Sequence, residues 1–144
     1  MKGITFLIIS IVLISCREMK DAKVLKEAKK ISLCYLSEEE YDKDSQIQLN
    51  EYFEQRQVLK KIDLNEQQRQ LFLNEFLNQE NYEALTRRCQ FQPVYALVVD
   101  QKLYALFDTE YCPTIKYVNN KEEDQFLGVT TENTLDQVLK SLMK

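Results

Sequence analysis

The chain has 144 residues, room for one ordinary domain, and its 44% hydrophobic and 29% charged side chains sit close to the globular average. With only two glycines, Gly3 and Gly128, it cannot build a glycine-rich phosphate loop, and without His it has no Ser-His-Asp or Cys-His nucleophile pair and no H-E-x-x-H zinc site. A formal net charge of −4 leaves no basic footprint for nucleic acid.

Met1, Lys2 and Gly3 make a short positive start, followed by an apolar run from Ile4 to Ile14 interrupted only by Thr5 and Ser10. As a helix this run would cover roughly 16 Å, about half of a ~30 Å hydrocarbon core, so it reads as the h-region of a secretory signal and not as a span. Leu13-Ile14-Ser15-Cys16 follows, aliphatic and small residues ending in Cys. These four positions resemble the lipobox of bacterial lipoproteins. The resemblance, confined to the first sixteen residues, implies that residues 1–15 are a cleaved signal peptide and that Cys16 receives a diacylglyceryl thioether, its new amine being open to acylation as well. Two or three acyl chains, at roughly 0.8 kcal/mol per buried methylene, hold a protein on a membrane far more firmly than one myristoyl group. Arg17 stands where an Asp is associated with inner-membrane retention in enteric-type lipoproteins. The expected location is therefore the outer membrane, facing the periplasm, with surface display as the other destination. Losing Lys2 leaves 18 basic against 23 acidic side chains, a net of −5, so lipid and not a polybasic patch must provide the anchor.

Residues 17–30 are highly charged with few apolar positions. Residues 16–36 are expected to form a lipid-anchored tether, with a single globular domain at 37–144. The acidic stretch Ser37 to Ser45 is expected to be a solvated loop, the alternative being a helix start favoured by carboxylates at its positive end. Residues 46–64 are ambiguous. Leu49, Tyr52, Phe53 and Leu59 suit one helical face, whereas Val58, Ile62 and Leu64 share the parity of a strand, giving helix early and strand late. Asn65-Glu66-Gln67-Gln68 is a capping-box pattern. It opens a helix with Leu73, Phe76 and Leu77 as its core stripe, widened by Leu71 and Phe72, ending near residues 78–81.

Pro93 to Asp100 and Gln101 to Asp108 are two β-rich runs around the polar interruption Asp100-Gln101-Lys102, which predicts a hairpin. With Cys16 assigned to lipid, Cys34, Cys89 and Cys112 remain, and outside the cytoplasm two of them are expected to pair. All three pairings are open, but a turn centred on Asp100 and Gln101 sets Cys89 opposite Cys112, while a longer loop in this Gly-free turn would slide the register by a residue or two and Pro93 would interrupt the ladder, so the expectation is proximity of the two thiols. Opposed residues in an antiparallel pair have Cα atoms roughly 4.5–5.5 Å apart, within reach of a disulfide. Cys34 is then the odd thiol. Closing this loop of about 24 residues would restrict the unfolded chain by around 3 kcal/mol.

Pro113 to Val118 predicts a third strand, residues 119–124 a polar turn, and Phe126 to Val129 a short fourth strand. Thr134-Leu135-Asp136-Gln137 is a second capping box, opening a helix with Leu135, Val138, Leu139 and Leu142 on one stripe. Helix, strands, helix in that order predicts an α+β domain: a small antiparallel sheet, the hairpin at about 93–108 plus one or two more strands, covered by helices and stapled by one disulfide. Cys89-Gln90-Phe91-Gln92-Pro93 followed by a strand is similar to a C-x-F-x-P pattern of small exported bacterial proteins with no assigned activity. That similarity bears on fold and disulfide and implies no function.

Carboxylates are the only abundant acid–base candidates, notably Asp108 and Glu110 beside Cys112, and Glu38 to Glu40. Nothing local sets two of them across a sugar-binding cleft, and no D-x-[DN]-x-[DN]-G loop is present for calcium, so no catalytic residue, metal site or cofactor is expected. Eight tyrosines suggest a binding surface, because Tyr combines a large apolar area with a polar tip. Tyr95 and Tyr104 are expected to pack on the sheet, and Tyr41, Tyr111 and Tyr117, with Asp108 and Glu110, to form the candidate surface. The expected function is a non-enzymatic lipoprotein that binds another envelope protein, with no nucleic acid and no small-molecule cofactor as partner. The alternatives are an inhibitor or immunity lipoprotein blocking a toxin or cell-wall hydrolase, and a carboxylate-dependent hydrolase using Asp108 and Glu110. Labelled palmitate should enter the wild type and not Cys16→Ser, which should accumulate uncut or drift into soluble fractions. A Ser variant that stays equally membrane-bound, with its signal removed at the same bond, contradicts the lipobox reading.

Overall fold

Alternating apolar residues in short runs favour strands, and a single eight-stranded antiparallel sheet organises this chain. The computed structural model describes residues 22–84, 88–118, 125–130 and 134–144; the signal, the lipobox Cys16 and the polar turn at 119–124 lie outside them. Residues 22–27 are helical (α1) and lead into β1 (Ile31–Glu40). Next come β2 (Tyr52–Phe53), β3 (Arg56–Asp63), α2 (Glu66–Phe76), a 3-10 turn at Gln79–Asn81 and β4 (Tyr82–Glu83). The second half holds β5 (Tyr95–Val99), β6 (Lys102–Asp108), β7 (Thr114–Tyr117), β8 (Gln125–Val129) and α3 (Leu135–Met143). The spatial order is β2-β3-β1-β5-β6-β7-β8-β4. No helix among the described residues is long and apolar enough to cross a membrane.

Alternation sorts the side chains onto two faces. Ile31, Leu33, Leu97, Val99, Phe107 and Ile115 point to one, where they meet Leu25 of α1, Phe72, Leu73 and Phe76 of α2, and Leu135 and Leu139 of α3. Cys34, Leu36, Ala96, Val98 and Leu106 form a smaller cluster on the other face, packed against Phe53, Val58, Phe91, Leu103 and Val118 and not against a helix. The helices therefore cover one face. The sheet is also larger than the hairpin plus one or two strands expected from sequence.

Residues 31–36, expected in the tether, instead lie in β1, all of them buried but the half-buried Tyr35, and β1 bonds to β3 on one side and β5 on the other. Charged neighbours hid this strand: Lys29 and Lys30 precede it and Glu38 to Glu40 end it. Even α1 is docked, through Leu25 and Ala28 and through the Arg69 guanidinium, which donates to the carbonyls of Leu25, Lys26 and Ala28 and so closes the helix C-terminus. Ser37 to Glu40 belong to β1, and only the remainder of the acidic stretch is loop. The expected early helix in residues 46–64 is absent: Tyr52 and Phe53 start a hairpin and Leu49 is 96% exposed, whereas the expected late strand is β3.

The β5–β6 turn is Asp100-Gln101, as expected, both residues having positive φ (47° and 69°), as a two-residue hairpin turn requires. Neither is Gly, and the conformation is held from outside: the Asp100 N–H donates to the Lys30 carbonyl at 2.9 Å and its carboxylate accepts from the Lys30 N–H at 2.8 Å. Beyond Val98 and Leu103 the register shifts, Tyr104 bulging out, so Leu97 faces Ala105. That extra residue corrects the direct opposition of Cys89 and Cys112, though the two are still joined by a disulfide with a Cα–Cα distance of 5.6 Å.

The first capping box forms in full, Asn65 Oδ1 accepting from the Gln68 N–H and Gln68 Oε1 from the Asn65 N–H. The second does not. Thr134 makes no cap bond and donates its hydroxyl instead to the Glu75 carboxylate on α2. Within α2 the buried residues are Phe72, Leu73 and Phe76, while Leu71 is 46% exposed. Urea unfolding should therefore show Phe72→Ala costing about 3–5 kcal/mol and Leu71→Ala staying within about 0.5 kcal/mol.

Candidate functional site

The loop after β6 is bound at both ends. At its start, the fully buried Asp108 carboxylate accepts from three backbone N–H groups: Gln92 at 2.7 Å, Tyr111 at 2.8 Å and Glu110 at 3.2 Å. At its end, the Cys89–Cys112 disulfide ties it to the segment before β5. A buried carboxylate is costly unless hydrogen-bonded, so this set of donors fixes Asp108 and the loop together. Tyr111 emerges from the clamp 50% exposed, and Glu110 faces Lys140 of α3 at 3.5 Å, which also pairs with Asp136 at 2.9 Å.

Beside the loop lies the bent end of β1. The buried Arg56 guanidinium donates to the carbonyls of Ser37 and Glu38, each at 2.9 Å, and meets the Glu40 carboxylate at 3.3 Å, while the Ser37 hydroxyl accepts from the Gln57 N–H at 2.9 Å. Arg56 thus supplies donors to carbonyls that the bulged β1–β3 ladder leaves irregular. Tyr35, Ser37, Arg56, Pro93, Glu110 and Tyr111 line a crevice of about 10 Å³, room for roughly one water molecule and not for a substrate. A wider groove of about 550 Å³ runs along the outer side of α2, past Lys26, Glu66, Arg69 and Asn74.

Of the residues expected on the surface, only Glu110 and Tyr111 are presented there together. Asp108 is interior, with its oxygens turned to backbone donors, which removes it both from a contact surface and from a two-carboxylate site with Glu110. Tyr117 points to the helix-covered face, its ring 6.3 Å from Phe76 and 6.1 Å from Tyr104. Tyr41 is half-buried against Tyr52, ring centroids 5.7 Å apart, and donates its hydroxyl to Glu39 at 3.1 Å, a bond that raises its pKa. Sequence reasoning missed Arg56 and Lys140. A lone Arg in a strand and a Lys in a last helical turn carry no local signal of what they meet.

Burial pushes Tyr95 up to about 12 and Cys34 up to about 11, and the Asp136 carboxylate raises Lys140. No group of three His, Cys, Asp or Glu residues able to hold a metal ion occurs among the described residues. No protein-family model, curated protein or solved structure matches this chain. Peptide mapping without reductant should recover Cys89 joined to Cys112, and replacing either by Ser should cost ~2–5 kcal/mol. Cys34, buried and protonated, should resist iodoacetamide at pH 8 until the protein is unfolded.

Proposed function

We propose that this chain is a lipid-anchored envelope protein that binds another protein through the clamped loop at residues 109–112. The observation that carries the reading is an exposed tyrosine, Tyr111, on a loop immobilised by the Asp108 carboxylate on one side and by a disulfide on the other. A preorganised loop loses little conformational freedom on association, and Tyr offers a large contact area with few rotatable bonds. Glu110 and Lys140 supply a polar rim of both signs, suited to orienting a partner.

The docking of α1 adds a consequence for the anchor. If Cys16 carries lipid, only Arg17 to Asp21 separate it from residue 22, a reach of roughly 20 Å at full extension. The domain would then work on a short leash, against partners at the same membrane surface.

The full-length protein recovered from the envelope, immobilised and exposed to solubilised envelope proteins, should retain a defined partner. Glu110→Lys combined with Tyr111→Ala should weaken that retention by about tenfold or more, as loss of a central aromatic anchor does, while leaving the melting temperature essentially unchanged. Unaltered retention by the double variant overturns the assignment to this loop.

A further inference from the structure

The sheet ends at β2, but β2 covers only the beginning of β3: Tyr52 faces Gln57 and Phe53 faces Arg56. From Leu59 to Asp63, β3 has β1 as its only hydrogen-bonded neighbour among the described residues. Which backbone groups this leaves open follows from the register. Leu64 donates its N–H to the Ile31 carbonyl, and Ile62 and Lys60 face Leu33 and Tyr35. With the two-residue period of an antiparallel ladder, residues 60, 62 and 64 turn their N–H and C=O groups toward β1, and Lys61 and Asp63 turn theirs outward.

Another copy of the same edge could be hydrogen-bonded here in three antiparallel registers. Lys61 opposite Lys61 and Asp63 opposite Asp63 each set like charges face to face, which is unfavourable. The remaining register sets Lys61 of each copy opposite Asp63 of the other, with Ile62 meeting its own symmetry mate on the two-fold axis. Each ion pair would extend a row already present in one chain, because Lys61 is bonded to Glu51 at 2.9 Å and Asp63 to Lys30 at 2.8 Å. Acid and base then alternate as Glu51, Lys61, Asp63 and Lys30 across the junction.

We propose that the 61–63 edge of β3 pairs with the same edge of a second copy of this chain, antiparallel about a two-fold axis at Ile62, with Lys61 of each protomer opposite Asp63 of the other. This interface is isologous, so it closes at a dimer and exposes no further edge of the same kind. Lysines on an edge strand ordinarily discourage pairing. Here the carboxylate two residues on converts that barrier into selection of one register.

Residues opposed in a non-hydrogen-bonded antiparallel pair have Cα atoms roughly 4.5 Å apart, short enough for a disulfide. Full-length Ile62→Cys, mildly oxidised in the membranes of producing cells, should give a disulfide-linked dimer on a non-reducing gel. Leu59→Cys, although more exposed, should not, because in this register the two copies of residue 59 lie roughly 20 Å apart along the strands. In the Ile62→Cys background, Lys61→Asp alone and Asp63→Lys alone should each cut the dimer about tenfold by setting two like-charge pairs across the axis. Co-expressing those two variants, one carrying a size tag, should restore a mixed dimer, since each acid again meets a base. Three outcomes overturn the proposal: efficient linking of Leu59→Cys and not Ile62→Cys, single charge variants that link like their parent, or co-expression without enrichment of the mixed dimer.

Discussion

The fold depends on β1. Its ten residues bond to β3 on one side, along Ser32 to Glu40, and to β5 on the other, along Ile31 to Tyr35. Without it the sheet separates into the small β2–β3 hairpin and the β5-to-β4 portion, each with an unpaired edge. Its side chains serve both interiors, Ile31 and Leu33 facing the helices and Cys34 and Leu36 the opposite cluster. A segment just beyond the highly charged N-terminal stretch is therefore the joint of the domain. Neither of its neighbours is adjacent in sequence, so much of the ordering cost of folding is met before the sheet is complete.

Around that joint, irregular backbone is held by polar side chains, two of them buried and Arg69 half-buried. Arg56 serves the carbonyls of Ser37 and Glu38 where β1 bends, Asp108 serves three N–H groups where the chain leaves β6, and Arg69 serves the carbonyls ending α1. In each case one polar side chain meets several backbone dipoles, satisfying groups that no ladder or helix reaches. The same logic gives the Tyr111 loop its fixed shape. A disulfide alone would limit the separation of its ends, and the carboxylate sets the path between them.

The two faces of the sheet differ in what closes them. On one, stacked Phe72 and Phe76 meet Phe107 edge-on, burying large aromatic surface under α2. On the other, small residues such as Ala96 and Cys34 form the floor, and closure comes from the β2–β3 hairpin, whose turn residue Glu54 pairs with Lys116 of β7. The Lys116 ammonium also lies 5.8 Å from the Phe126 ring, which meets Phe91 edge-on. The hairpin thus does for this face what helices do for the other.

Features set by neighbours a few residues away were legible in the sequence: the Asn65–Gln68 capping box, the Asp100-Gln101 turn, β3 late in residues 46–64, the strands after Pro113, and the proximity of Cys89 to Cys112 across a hairpin. Each rests on a short-range rule of hydrogen bonding or side-chain parity. Tertiary structure decided the rest, because it depends on groups far along the chain. Residues 31–36 became a doubly paired strand because β3 and β5 supply its hydrogen bonds. Thr134 gave up its cap for Glu75 on another helix, Tyr117 turned toward α2, and Asp108 was drawn inside by donors at residues 92, 110 and 111. A carboxylate or a tyrosine looks the same in sequence whether it faces water or a ring of donors, and only the packing of distant segments settles which.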